Sequence, residues 1–127
     1  MMILLDTGIL ITYFREVDKS STLLYKLAAT HDLAISAITA FEFRVGFRDQ
    51  EDSFLEEMLS MMQLLPFDEN CVSKSVEVYQ NLKKRSKLIP MQDIFIASTA
   101  LAYHIPIATL NINHFQRIEG IDLWQTS

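Results

Sequence analysis

Hydrophobic positions follow two patterns in this chain: short continuous aliphatic runs, and longer stretches at helical spacing. Ile3-Leu4-Leu5 is the first short run, and three consecutive aliphatics suit a strand buried on both faces, as in a parallel sheet covered by helices. Asp6 ends it, and Gly8 to Phe14 then continues apolar without alternation, which reads as a short helix. Arg15 to Ser20 is a polar connection. Ser20 or Ser21 is placed to cap a second helix running to Ala29, with Leu23, Leu24 and Leu27 at helical spacing. Leu33-Ala34-Ile35 predicts a second strand, and Ser36 to Glu42 opens a third helix in which Thr39 and Glu42 have capping-box spacing.

The second half repeats the alternation. Phe54 to Met62 is an amphipathic helix with Met58, Met61 and Met62 as its packing face. Leu64-Leu65-Pro66-Phe67 reads as an edge strand because of its proline. Asp68 or Asn70 starts a helix through Lys84, with Val72, Val76 and Tyr79 inward. It runs into Lys83-Lys84-Arg85 and Lys87, cations well placed at a helix C-terminus, where phosphate contact is the other reading. Pro90 marks the next helix start, Gln92 to Tyr103 is nearly all apolar, and Ile107-Ala108-Thr109 predicts a further strand. After Asn111 to Phe115, Gly120 precedes a last strand around Ile121 to Trp124. Strands alternating with helices, without repeats or low-complexity segments, predict one domain over 1–127: a three-layer α/β sandwich with a mainly parallel sheet.

Composition narrows the classes. With 127 residues, half of them hydrophobic, the chain is long enough to bury roughly two-thirds of its unfolded surface. Cys71 is the only cysteine, which excludes an intrachain disulfide or cysteine-rich metal site and suits a reducing, cytoplasmic setting. No basic segment precedes the N-terminal apolar run and Asp6 interrupts it, so it does not read as a signal peptide. Ile94 to Asn113 carries no Asp, Glu, Lys or Arg, but His104-Ile105-Pro106 breaks it into pieces too short to span a membrane. A formal charge of −5 gives no global attraction to nucleic acid. Any such role needs local basic surface or metal ions.

Three carboxylates do not fit a plain core. Asp6 ends the first strand, where open α/β sheets place their ligand crevices, although an Asp there also caps a helix. At 100° per residue, Glu42 lies between Phe41 and Val45 on one side and Phe43 and Phe47 on the other, while Arg44 and Arg48 point away. Gly46, one turn below, leaves room for another backbone. The other reading of Glu42 is a capping-box acid folded back on Thr39. Asp93 begins an otherwise uncharged helix, where the dipole favours it but burial without a partner is costly. If the strands are neighbours, Asp6, Glu42 and Asp93 meet at one sheet edge. They would then titrate upward unless a cation compensates, and hard oxygen ligands suit Mg²⁺ or Mn²⁺ rather than Zn²⁺.

Leu-Leu-Asp6-Thr7, Ser36-Ala-Ile-Thr-Ala-Phe-Glu42, Asp93-Ile-Phe-Ile-Ala-Ser-Thr-Ala100 and the closing Ile107-Ala-Thr-Leu-Asn-Ile-Asn-His-Phe-Gln-Arg-Ile-Glu-Gly-Ile121 resemble, in this order, the PIN domain. The bare form of the chain is similar to the VapC-type toxins of bacterial toxin–antitoxin pairs. The resemblance implies a three-layer α/β/α fold and a metal-dependent endoribonuclease, with Asp6, Glu42 and Asp93 holding Mg²⁺ or Mn²⁺. It implies a hydroxyl role for Thr7 beside the first acid, with Thr7 and His114 as candidates for positioning the substrate. Asn111 stands where the family often has a fourth acid, which implies a weakened second metal site. His114 matches a variable polar position, for which a solvated turn residue is the plainer reading. A small antitoxin that blocks the acidic site, and a homodimer, are the implied partners besides RNA.

Rival readings are weaker. A phosphoaspartyl hydrolase needs a second Asp two residues after the first, and Gly8 stands there. Gly8, Gly46 and Gly120 make no phosphate cradle of the P-loop or dinucleotide type. The non-enzyme alternative is a PIN-like scaffold that binds a partner without cutting, which has no need of three converging carboxylates.

Overall fold

The computed structural model describes residues 1–46 and 52–125, with the backbone alone at 52–55. Strand β1 (Met2–Leu5) leads into helix α1 (Thr7–Arg15), a 3₁₀ turn (Lys19–Ser21), α2 (Leu23–Ala28) and β2 (Asp32–Ser36). Then come α3 (Ala37–Gly46), α4 (Asp52–Ser60), β3 (Gln63–Leu65), α5 (Glu69–Lys84), α6 (Met91–Tyr103), β4 (Ile107–Ala108) and α7 (Ile112–Phe115). Among the described residues the four strands form one sheet in the order β3-β2-β1-β4, every pair parallel. Alternation along the strands builds two cores. Ile3, Leu5, Ile35 and Ala108 face α1 to α4, while Leu4, Ala34, Leu65 and Ile107 face α5, α6 and α7.

The order of connections dictates those layers. The crossovers from β1 to β2 and from β2 to β3 step one way along the sheet, and the return to β4 steps the other way. Right-handed crossovers therefore put α5 and α6 on the opposite face. The reversal falls between β1 and β4, and so Asp6 stands at the switch point where such sheets open a crevice.

Several local expectations shift. Thr22, rather than Ser20 or Ser21, caps α2 by accepting from the Tyr25 amide. The Thr39–Glu42 capping box does not form: Ser36 Oγ accepts from the Thr39 amide at 3.0 Å, which puts Thr39 inside the helix. Only Phe43 of the apolar residues flanking Glu42 is buried; Phe41 is 68% and Val45 58% exposed, and Phe47 lies outside the described residues. A Cβ on Gly46 would meet nothing within 4 Å, so no backbone among the described residues uses that gap. Helix α5 is rotated from the expected face. Cys71, Ser75, Val78 and Leu82 point inward as an i, i+4, i+7, i+11 row. Val72 and Val76 instead line an open apolar groove with Phe67, Tyr79, Met91 and Phe95. Met58 and Met62 pack inward while Met61 is exposed. Around Ile121 to Trp124 there is no strand, only a single parallel bridge from Leu123 to Ile107. Gly120, at φ 79°, turns the chain into it.

His104 ends α6 in the left-handed region, which divides the uncharged stretch as expected. Among the described residues no helix is long and apolar enough to cross a membrane. Ser98, fully buried in α6, has a hydroxyl with no hydrogen-bond partner among the described residues. Ser98→Ala removes that unpaired group and adds a better helix former. It is expected to stabilise the fold by about 1 kcal/mol, read as a rise of a few degrees in Tm. A fall in Tm would show that the hydroxyl has a partner in solution.

Candidate functional site

The C-terminal edge of the sheet gathers polar groups from three crossovers. Asp6 follows β1 and is only 7% exposed. It caps α1, and its Oδ1 accepts from the Thr7 amide at 2.8 Å. Its Oδ2 accepts from the Thr109 hydroxyl at 2.7 Å, just beyond β4. The Asp6 amide donates to the Ala108 carbonyl, so backbone and side chain both join β1 to β4. Burial pushes the Asp6 carboxyl above its ordinary range. The Thr109 and Thr7 bonds pull it back, and the charges of Asp93 and Glu42 push it up again. Asp6 thus caps a helix and also stands in the field of two other acids.

Glu42 enters from α3. Its Oε1 accepts from the Thr7 hydroxyl at 2.8 Å, and Thr7 Oγ1 lies 3.1 Å from Thr39 Oγ1. Ser36 Oγ lies 3.3 Å from Thr39 Oγ1 and accepts from the Thr39 amide. Each hydroxyl has one proton to donate. With the Thr7 proton on Glu42, Thr39 donates to Thr7 and Ser36 donates to Thr39. The bonds then run one way, from the start of α3 to the Glu42 carboxylate, and polarise one another along it.

Asp93 sits in the first turn of α6, and its Oδ2 lies 2.8 Å from His114 Nδ1. Asn111 Nδ2 lies 2.7 Å from that same ring nitrogen, and the Asn111 amide donates to Thr109 Oγ1 at 2.9 Å. One nitrogen cannot accept from an amide and donate to a carboxylate at once. A proton on Nε2 alone would leave Nδ1 and Asp93 Oδ2 as two acceptors facing each other. Protonated Nδ1 satisfies Asp93, and the Asn111 amide then turns its oxygen toward the ring.

Asp6, Glu42 and Asp93 therefore share one edge, where the charges of the other two act on Asp6 through space. Thr7, Asn111 and His114 are there as well. His114 is no solvated turn residue but the partner of Asp93. Arg44 is exposed, as expected, and pairs with Glu56 at 3.7 Å; Arg48 lies outside the described residues. Sequence reasoning gave Thr109 no part in the site, yet it carries the bond to Asp6. Its hydroxyl also accepts from the amide two residues on, a local habit of Thr that a T-x-N spacing signals.

A hard divalent ion fits the donor set: three carboxylates and an amide, with the lone pairs not used by Thr7, Thr109 and His114 remaining. It would also offset the burial and, after it, the carboxylate repulsion that raise Asp6. Among the described residues, no three acidic or histidine side chains close tightly enough to hold an ion as they stand. The acids would have to draw together around it.

Residues 3–121 match the PIN domain family. The chain is 33% identical over 122 residues to Ribonuclease VapC1 of Methanocaldococcus jannaschii, covering 95% of this chain and 84% of that one. It is 32% identical over 132 residues to Ribonuclease VapC of Rickettsia bellii, covering 97% and 95%. Its fold superposes on a chain of VapBC2 from Rickettsia felis, solved bound to a promoter DNA fragment, with a TM-score of 0.86, 27% identity and full coverage of both chains.

The raised Asp6 carboxyl has a sign that can be checked in metal-free protein. Its folded pKa lies above the unfolded value of about 3.9, so the native state holds the proton more tightly. Its cost to stability is complete above the folded pKa and fades as pH falls toward the unfolded one. Asp6→Asn should therefore melt above wild type at neutral pH, with the gap closing toward about pH 4. A gap that is constant with pH would show that Asp6 is not raised.

Proposed function

The chain belongs to the PIN-domain family, and from that premise we propose that it is an endoribonuclease and the toxin of a toxin–antitoxin pair. It hydrolyses RNA phosphodiester bonds at the edge built by Asp6, Glu42 and Asp93, with Mg²⁺ or Mn²⁺. The observation that carries this is the buried Asp6, driven up in part by Asp93 and Glu42. Repelling carboxylates from three crossovers are a poor way to hold a fold together and a good way to hold a cation. The ion, when bound, supplies an acidified water and neutralises charge developing on the phosphate.

The protein's own groups do the rest. Thr109 and the Thr7 amide fix both oxygens of Asp6. The hydroxyl chain ending on Thr7 orients Glu42, so Thr7 positions an acid. His114 fixes the rotamer of Asp93 through the contact of its Nδ1 with Oδ2. Asn111 brings a neutral oxygen, a weak fourth ligand beside three charged ones. The named relatives are ribonucleases, and the solved VapBC2 complex shares its VapBC name with a family of toxin–antitoxin systems. A small antitoxin that covers the acidic edge, a homodimer and a cytoplasmic setting complete the proposal.

Asp6→Asn and Asp93→Asn are each expected to lose at least about 100-fold in RNA turnover with Mg²⁺ or Mn²⁺, the size of loss when one charge-stabilising group is removed. Circular dichroism should stay native, since repulsion is relieved. Turnover near wild type in either variant would remove the nuclease reading.

Asn111→Asp adds charge to the ligand set and should tighten Mn²⁺ binding in RNA-free protein, measured by calorimetric titration. Isotherms identical to wild type would place Asn111 outside the metal shell.

A further inference from the structure

From Val78 to Ile118 the chain holds five cations, Lys83, Lys84, Arg85, Lys87 and Arg117, and a single acid, Asp93. The remaining fifteen of its sixteen acids lie elsewhere. The fold draws these cations together beside the acidic edge. The Arg117 guanidinium donates to the Leu88 carbonyl at 3.2 Å and to the Lys87 carbonyl at 3.4 Å. Arg85 reaches back through Nη2 to the Arg117 carbonyl, and through Nε to Asn81 Oδ1 at 3.0 Å. The end of α5, the connection to α6 and the end of α7 are thereby clasped into one ledge. Arg117 in turn donates its amide to the carbonyl of His114, whose ring holds Asp93. The ledge thus begins one helical turn from His114, the partner of an acid of the site.

These arginines bind carbonyls, which are neutral, and so their charge is not cancelled. Among the described residues, none of the five cations has a carboxylate within ion-pair distance. Lys83, Lys84, Arg85 and Lys87 are exposed. Lys83 lies 5.9 Å above the Tyr79 ring, a contact that also leaves its charge in place. A cluster made only to complement the α5 dipole would need charge within the last turn. It would not need Lys87 beyond the helix, or Arg117 from the segment after α7.

We propose that this ledge binds the phosphate backbone of the RNA strand as it leaves the acidic edge past α7. The proposal rests on the ribonuclease reading for its direction. A polyanion must approach three carboxylates on a protein of net charge −5, and unpaired cations beside the site supply the local attraction that the whole molecule lacks. Binding is through phosphate rather than bases, so it should be tolerant of sequence and sensitive to salt.

The test compares two double variants of the full chain that remove the same charge. Lys84→Gln with Lys87→Gln alters the ledge. Lys26→Gln with Lys74→Gln alters α2 and the first half of α5. Fluorescence anisotropy with a labelled single-stranded oligoribonucleotide of mixed sequence is followed across salt concentrations in EDTA. The ledge variant should bind several-fold more weakly, and the slope of log affinity against log salt should shrink by about 0.7 per lost phosphate contact. The control variant should follow wild type. In the metal-supported cleavage assay the ledge variant should raise KM. Equal loss in both variants, or loss in neither, overturns the ledge. Loss of binding to poly-glutamate with RNA binding intact also overturns it, in favour of an acidic protein partner. Absence of cleavage by the wild-type protein would count against the ribonuclease reading alone, because the binding comparison needs neither metal nor turnover.

Discussion

Everything at the functional edge depends on holding a carboxylate where the sheet would otherwise be dry. Asp6 is nearly as buried as the strand it ends, and an ion in that position is costly unless donors are aimed at it. Two are: the Thr7 amide at the start of α1 and the Thr109 hydroxyl beyond β4. The α1 dipole adds to them. Each donor needs the fold to be what it is. Thr109 reaches Asp6 only because β4 pairs in parallel beside β1, and Thr7 is well aimed because α1 starts directly at the strand end. Even so, the donors do not fully offset burial and the neighbouring acids, and the carboxyl stays raised.

The other two acids are managed differently. Glu42 is held through a line of hydroxyls, which carry dipoles but no charge and so stabilise it without neutralising the site. Asp93 is held by the imidazole of His114, through Nδ1 at 2.8 Å. No Lys or Arg pairs with any of the three among the described residues. A fold that simply needed to quiet these carboxylates would have placed one of its eleven Lys and Arg residues there. Instead the charge is left uncompensated at the edge among the described residues, and Arg117 follows one helical turn after the His114 that holds Asp93.

The sheet was legible because buried parallel strands are written as unbroken aliphatic runs, and Ile3-Leu4-Leu5 satisfies both cores at once. The acids were legible as misfits: Asp6 after such a run, Asp93 before an uncharged helix. Their partners were not. Thr39 and Glu42 fit a capping box in sequence, and only the arrival of Thr7 from another crossover shows that Glu42 looks elsewhere. Helix α5 misled for another reason. Valine at helical spacing marks an apolar stripe but does not say whether that stripe faces the core. Here the small Cys71 and Ser75 allow close approach to α6 and take the inside, which leaves Val72 and Val76 on an open groove.

The separations explain why no local pattern reveals the site whole. Asp6 and its Thr109 donor are 103 residues apart, Thr7 and Glu42 are 35, and Asp93 and His114 are 21. Each link closes a different loop, and loop closure is an entropic cost that only cooperative packing of the sheet offsets. A partly folded chain with β1, β2 and α3 in place would have Glu42 on Thr7, but Asp6 would lack its hydroxyl donor and Asp93 would be absent. The strand that brings Thr109 is the last in chain order among the described residues and only two residues long. It is reinforced by backbone bonds from Ile107 to Asp122 and from Trp124 back to Ile107. The segment after α7, which forms a single bridge rather than a strand, therefore keeps β4 in place, and through β4 it keeps the donor on Asp6. Completion of the acidic edge thus waits on nearly the whole chain, and a fragment that has only some of the acids has no site.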